Sequence, residues 1–270
     1  MIFNHTGNMG DILYSLPFVL ELCEAGNIQL NQCTFNIQID VPTTYIQEHP
    51  NGNVLMTKSA ALFLKPLLDI IGFKEVTISS EKPEKCIALE FFRDIKLNTM
   101  AGDIRSWYYT ISMSHLPQDF SKKIINFEGV DERLKNKIVI CRSSRYLNPM
   151  INWKILEEFK DNFIFMGLQS EYEAFCNDVF PIQYVKIKNA MEAAIVFNSC
   201  LGTISNQNGL YCIAELMKIP RLLITAEYIR INDKNVFGPV NNIPCGGWFE
   251  CIRTNIKLKS MCNELLKLKH

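Results

Sequence analysis

Short apolar runs alternate with helical-period segments along the second half of the chain, and few architectures accept that pattern. Ile138-Val139-Ile140-Cys141 and Phe163-Ile164-Phe165-Met166 read as strands, as do residues 184–187, 201–205 and 221–225. Segments 153–159, 170–175, 190–197 and 210–217 read as the helices between them. Continuous apolar runs, in place of strict alternation, belong to strands buried on both faces, so the pattern predicts a parallel sheet covered by helices on both sides. The first half repeats the logic. Ile2-Phe3 ends a short strand, and Ile12, Leu13, Leu16, Val19 and Leu20 follow at helical spacing. Residues 34–41 alternate and stop at Pro42, and 42–53, with Tyr45, His49, Pro50 and Gly52, read as a loop. A helix is expected over 59–71, closed by Gly72, with short strands at 75–78 and 86–91. The segment 98–118 carries Trp107, Tyr108, Tyr109, Met113 and His115. It reads as a core helix with an aromatic face, the alternative being a wall of a substrate cleft. The charged stretch 121–136 reads as a linker. The expected fold class is therefore α/β, as two domains, 1–130 and 131–270, with a cleft between them.

Composition removes several classes of function. With 270 residues, 48% of them hydrophobic, there is ample material for a sizeable core. Lysine plus arginine equals aspartate plus glutamate, 28 each, which weakens a reading as a protein held on nucleic acid by charge alone. The 10 cysteines form no Cys-x-x-Cys pair and mostly sit in apolar runs, as reduced core residues of a cytoplasmic protein would. Asn4, His5 and Asp11 interrupt any apolar leader, and no stretch approaches the roughly 18–20 apolar residues of a membrane span, so no stable membrane insertion is expected.

The chemistry-bearing residues gather in turns that follow expected strands. Between the first strand and helix lie His5, Thr6, Gly7, Asn8 and Gly10, and Asp11 enters the first helical turn, where a negative charge suits the positive end of the dipole. Gly7-Asn8-Met9-Gly10 lacks the middle glycine of Gly-x-Gly-x-x-Gly, which argues against a nicotinamide-dinucleotide site. In the second half, Arg142-Ser143-Ser144-Arg145 offers two guanidiniums and two hydroxyls suited to phosphate. Met166-Gly167-Leu168 offers a backbone edge and an apolar surface for a flat base. Ser205-Asn206-Gln207-Asn208-Gly209 places small polar groups at a helix start, an arrangement that serves an anion or simply caps the helix. No Asp-x-Asp pair, P-loop, Gly-x-Ser-x-Gly or His-Glu-x-x-His is present, and the four histidines have no ligand spacing, so no metal site is expected.

These residues resemble a family. The run Thr6-Gly7-Asn8-Met9-Gly10-Asp11-Ile12-Leu13-Tyr14-Ser15-Leu16-Pro17 is similar to the opening motif of the ADP-heptose:lipopolysaccharide heptosyltransferases, family-nine glycosyltransferases. The resemblance implies two facing Rossmann-like domains, the GT-B-type architecture, with Asp11 as general base. It places Arg142, Ser143 and Arg145 on the donor diphosphate and Met166 and Gly167, with Glu171 and Glu173, at the nucleoside. Ser205, Asn206, Gln207, Asn208 and Gly209 fall on the phosphate loop, and His5, Thr6, Gly7, Asn8 and Gly10 on the acceptor side. Asn206 stands where that family carries aspartate, and Arg145 where it carries lysine. The implied activity is metal-independent, inverting transfer of a sugar from a nucleoside-diphosphate sugar to a hydroxyl of a glycan or lipopolysaccharide. The nucleotide sugar is a co-substrate, and no resident cofactor is implied. Two alternatives accompany this reading. One is transfer to a modified DNA base, for which Lys257, Lys259, Lys267 and Lys269 speak mildly. The other is a non-catalytic nucleotide- or glycan-binding module of the same fold.

Overall fold

The computed structural model describes residues 1–44, 49–93, 104–112, 115, 116, 119, 121–224, 229–231, 234–236 and 255–268. The chain divides into two compact units, Met1–Ile124 with Asn189–Met191, and Ile125–Lys188 with Glu192–His270.

Unit one is built on β1 (Ile2–His5), α1 (Met9–Ala25), β2 (Thr34–Gln38), α2 (Lys58–Asp69), β3 (Glu75–Ser79), β4 (Ile87–Ala88) and α3 (Ile104–Ile111). The four strands form a parallel sheet in the order β3-β2-β1-β4. Gly72 follows α2 with φ of +106°, a left-handed backbone that favours glycine. The expected strand over 86–91 is shorter than its apolar content indicated. Only Phe3 and Asn4 pair with β4, and Leu89–Arg93 turns into a 3-10 helix. In α3, Ile104, Trp107, Tyr108 and Tyr109 are all buried, as a core helix requires, with Tyr109 edge-on to Phe18 at 5.3 Å. Residues 45–48, 98–103, 113, 114, 117 and 118 of the segments read from sequence lie outside the described residues.

Unit two carries β5 (Ile138–Cys141), β6 (Phe163–Phe165), α4 (Gln169–Asp178), β7 (Gln183–Tyr184), α5 (Ala190–Ser199), β8 (Gly202–Asn206), α6 (Gly209–Met217) and β9 (Arg221–Ile224). The short antiparallel pair β10 (Ile229–Ile231) and β11 (Lys234–Val236) and the helix α7 (Asn255–Leu266) complete it. The five strands β7-β6-β5-β8-β9 form a parallel sheet, and every residue of β5, β8 and β9 is buried, so both sheet faces are covered. The core joins Ile138, Ile140, Phe163, Phe165, Ile204 and Leu222 of the sheet to Trp153, Leu156, Phe175, Leu258 and Leu265. The expected α-helix over 153–159 is instead a 3-10 helix, Trp153–Asn162, opened by the Asn152 side chain accepting from Lys154 N–H. It still buries Trp153, Leu156 and Phe159 at threefold spacing, which eclipses them on one face of a 3-10 helix.

Both sheets reverse direction beside their first strand: β1 lies between β2 and β4, and β5 between β6 and β8. Ligands in open α/β sheets bind outside the carboxyl ends of the strands at such a reversal. One buried ion pair underlies unit two. Glu215 on α6 and Arg221 on β9 are 0% and 1% exposed and paired with each other, with Lys218 beside the same carboxylate. Removing one partner leaves a buried, uncompensated charge. Glu215→Ala should therefore lower stability by about 3–5 kcal/mol in urea unfolding; a loss below about 1 kcal/mol would show that the pair is not holding this corner.

Candidate functional site

In unit one the turn from β1 to α1 presents three consecutive backbone amides, and side chains capture two of them. The Thr6 amide pulls the Glu90 carboxyl down, against the rise that burial causes. Gly7 N–H donates to His5 Nδ1 at 2.8 Å, and Asn8 N–H donates to Asp11 Oδ2 at 2.9 Å. Because Nδ1 accepts, the His5 ring is the neutral tautomer with its proton on Nε2. That proton faces the Tyr108 hydroxyl at 2.8 Å, which donates onward to the Asp11 carbonyl at 2.8 Å. Asp11, at N3 of α1, thus reaches back through Oδ2 to the N-cap amide and is only 8% exposed. Gly7 is required for a steric reason. A Cβ there would lie 2.6 Å from both Asp11 Cβ and His5 Cε1, and 2.7 Å from Asp11 Oδ2. The structure thus gathers His5, Thr6, Gly7, Asn8 and Asp11 into one turn, with Gly10 following in the first turn of α1.

Sequence reasoning missed Glu90. It stands just past β4, across the strand-order reversal from Thr6, and its side chain is 13% exposed. Burial raises its carboxyl above the ordinary value, against the opposing pull of nearby donors and Lys82. The signal was hidden because 86–91 reads as a continuous strand.

In unit two the turns after β5, β6 and β8 share the carboxyl edge of one sheet. Asn206 ties two of them together. Its Oδ1 accepts Ser143 N–H at 2.8 Å, while its Nδ2 donates to the carbonyls of Ser143 (2.9 Å) and Arg145 (2.7 Å). Asn208 caps α6 by accepting Tyr211 N–H at 3.0 Å, and its Nδ2 donates to Cys141 O at 3.0 Å. Ser205 is fully buried, its hydroxyl 2.9 Å from Cys141 O, and Gln207 is 3% exposed. Ser205, Asn206 and Asn208 therefore use their side chains to shape the edge. The first turn of α6 also lies at that edge, where Gly209 and Leu210 supply N–H groups that lack intrahelical partners by geometry.

The two arginines of the β5 turn part company. Arg142 lies over the Phe175 ring at 5.9 Å and 3.8 Å from Asp178, and burial lowers its guanidinium from the ordinary value. Arg145 lies over the Tyr146 ring at 5.3 Å and has no carboxylate partner among the described residues. Tyr146 itself has φ of +54°, which turns the chain back over this edge. At the β6 turn Met166 is fully buried, so the apolar surface expected of Met166-Gly167-Leu168 is offered by Leu168 alone, 50% exposed. Tyr184 Oη donates to Gly167 O at 2.9 Å. Glu171 caps α4 through Leu168 N–H at 3.1 Å and accepts Ser144 N–H at 3.2 Å, bracing the β5 and β6 turns against each other.

No protein-family model and no curated protein sequence matches the chain. Its fold does match solved structures. A family-nine glycosyltransferase from Veillonella parvula is 12% identical over 98% of this chain and 97% of its own, with a TM-score of 0.56. ADP-heptose LPS heptosyltransferase II of E. coli is 12% identical, with 98% of each chain covered and a TM-score of 0.56. E. coli heptosyltransferase WaaC, solved with ADP, is 13% identical over 98% of this chain and all of its own, with a TM-score of 0.52. The chain shares their fold: α/β, with two Rossmann-like units. Among the described residues no group of three or more His, Cys, Asp or Glu side chains is placed to hold a metal, and no helix is long and apolar enough to cross a membrane.

The Asn206 bridge has a measurable consequence. Aspartate at this position keeps the contact to Ser143 N–H, loses both donors and sets a charge against two carbonyls. Asn206→Asp should cost about 1–3 kcal/mol, the penalty for unsatisfied buried polar groups, in thermal or urea unfolding; stability equal to wild type would show that the bridge is dispensable.

Proposed function

We propose that this chain is a glycosyltransferase that takes a nucleoside-diphosphate sugar on the carboxyl edge of unit two and an acceptor hydroxyl at the Asp11 turn of unit one. The observation that carries this reading is an asymmetry between two similar sheet edges. In unit one the edge carries two carboxylates, Asp11 and Glu90, 8% and 13% exposed, which repel a phosphate. In unit two the start of α6 and the guanidinium of Arg145 are the groups left to meet an anion. The fold supports the reading by its likeness to enzymes whose structures were solved with ADP and with an ADP-heptose analogue.

In this mechanism Asp11 accepts the proton of the acceptor hydroxyl as its oxygen attacks the anomeric carbon. The configuration at that carbon inverts, and the bond to the diphosphate oxygen breaks. Arg145 and the α6 amides stabilise the charge that develops on the leaving diphosphate. Leu168 gives an apolar surface for the base. Transfer proceeds without a divalent metal, and the acceptor is a glycan hydroxyl. The reading as a DNA-modifying enzyme loses part of its basis, because Lys259 pairs with Glu158 and Lys267 with Glu264. Lys269 and the side chain of Lys257 lie outside the described residues.

Calorimetry with ADP, UDP and GDP tests the donor side. Arg145→Ala should weaken the bound nucleotide by roughly ten- to a hundred-fold, since hydrogen bonds to charged groups contribute about 1.5–3 kcal/mol. Lysine should restore part of that loss, because a point charge does not reproduce a two-pronged contact. Arg142→Ala should affect binding less, its guanidinium being packed on Phe175. Equal affinity in wild type and Arg145→Ala would remove the donor from this edge. Asp11→Asn should leave nucleotide binding intact and slow transfer by about 10²–10⁴-fold, and transfer should persist in excess EDTA. Undiminished turnover in Asp11→Asn would return that residue to helix capping alone.

A further inference from the structure

A stripe of polar side chains crosses the sheet of unit one where apolar packing is the rule. Asn4, Asn36 and Thr77 are register partners on β1, β2 and β3, and Asn4 and Asn36 are 0% and 2% exposed. Their hydrogen bonds all run one way. Thr77 Oγ1 donates to Asn36 Oδ1 at 2.7 Å, and Asn36 Nδ2 donates to Asn4 Oδ1 at 2.7 Å. Asn4 Nδ2 in turn donates to Glu90 Oε1 at 3.4 Å and to Gln38 Oε1 at 3.1 Å. Buried donors aligned in series polarise one another along such a chain. This one ends on a carboxylate at the strand-order reversal of unit one.

Glu90 is consequently held by the Asn4 amide at the strand-order reversal beside the turn that carries Asp11. Its Oε1 retains accepting capacity. A carboxylate offers about four lone-pair sites, and the contacts at this oxygen are long: 3.4 Å to Asn4 and 3.9 Å to the Lys82 ammonium. Lys82 is 52% exposed, so the pair opens to solvent on the lysine side. A carboxylate and an ammonium this close complement two neighbouring hydroxyls: one donates to the carboxylate while the other accepts from the ammonium. Glu90 follows β4 and Asp11 follows β1, and these are adjacent parallel strands. A sugar hydroxyl pair seated at Glu90 thereby lies at the same carboxyl edge of the sheet as Asp11.

We propose that Glu90 and Lys82 form the docking point for a vicinal diol of the acceptor sugar, with the Asn4–Asn36–Thr77 ladder fixing the carboxylate in place. This deepens the reading of unit one as the acceptor side and rests on it. A neutral diol meets both groups at once, whereas the ammonium repels a protonated amine and the carboxylate repels a phosphate.

Saturation-transfer NMR with methyl α-glucoside, methyl α-galactoside and methyl α-mannoside at millimolar concentration tests the proposal on the full-length protein. At least one glycoside should bind wild type, and Glu90→Gln and Lys82→Met should each weaken it tenfold or more. Lys65→Met, which removes an exposed i,i+4 pair with Asp69, should bind as wild type does. ADP affinity by calorimetry should be the same in all four proteins. Absence of any glycoside signal in wild type, or wild-type affinity in either the Glu90 or the Lys82 variant, overturns the proposal. Lys82→Met alone decides it if Glu90→Gln does not fold, because Lys82 lies at the surface. Glycoside binding that depends on Glu90, in a protein that binds no nucleotide, would leave this site standing and sink the donor assignment.

Discussion

The turns at the carboxyl ends of the two sheets differ in charge. Unit one sets two carboxylates, Asp11 and Glu90, at 8% and 13% exposure beside the turn after β1, where His5 and Asp11 hold the Gly7 and Asn8 N–H groups. Unit two directs its asparagines inward to build the turn and leaves the helix start and one guanidinium outward. The proposed assignment of anion to unit two and neutral hydroxyl to unit one rests on that difference in charge. Both turns close by pairing their buried polar groups, since one left unpaired costs more than a typical hydrogen bond contributes.

The same constraint explains why residues with little surface of their own matter at this site. Gly7 is fixed by the Asp11 carboxylate and the His5 ring, which occupy the volume a Cβ would need. Asn206 is fixed because only an amide both accepts from Ser143 N–H and donates to two carbonyls of the β5 turn. This gives a physical reason for asparagine where the resembled family carries aspartate. A carboxylate in this place lacks the donors that close the turn.

Much of the fold was legible in the sequence because burial on both faces leaves a continuous apolar signature. The strands at Ile138, Phe163, Gly202 and Arg221 stand where those runs place them. Local signals failed where tertiary contacts decide. The segment from Trp153 satisfies threefold as well as helical spacing and forms a 3-10 helix. The end of α6 at Met217, by contrast, stands where the sequence put it, although the αL residue that closes it is Lys218, with φ of +55°. At the site, Asp11 and the turn around Gly7 were legible from the glycines and the helix start. Glu90 was not, being embedded in an apparent strand, and Asn4 and Asn36 acquire meaning only once register sets them side by side. An asparagine after a strand reads equally as cap, ligand or brace, so the inward role of Asn206 required the structure.

Amide chemical-shift mapping on the full-length, nitrogen-15-labelled protein during an ADP titration tests the central claim most directly. The account predicts that saturating ADP shifts the backbone amides of Arg145, Gly209 and Leu210 and leaves those of Thr6, Gly7 and Asn8 in place. Shifts at Thr6, Gly7 and Asn8, with Gly209 and Leu210 unmoved, would show that the nucleotide binds unit one and that the division of labour drawn from the charges at the two edges is wrong.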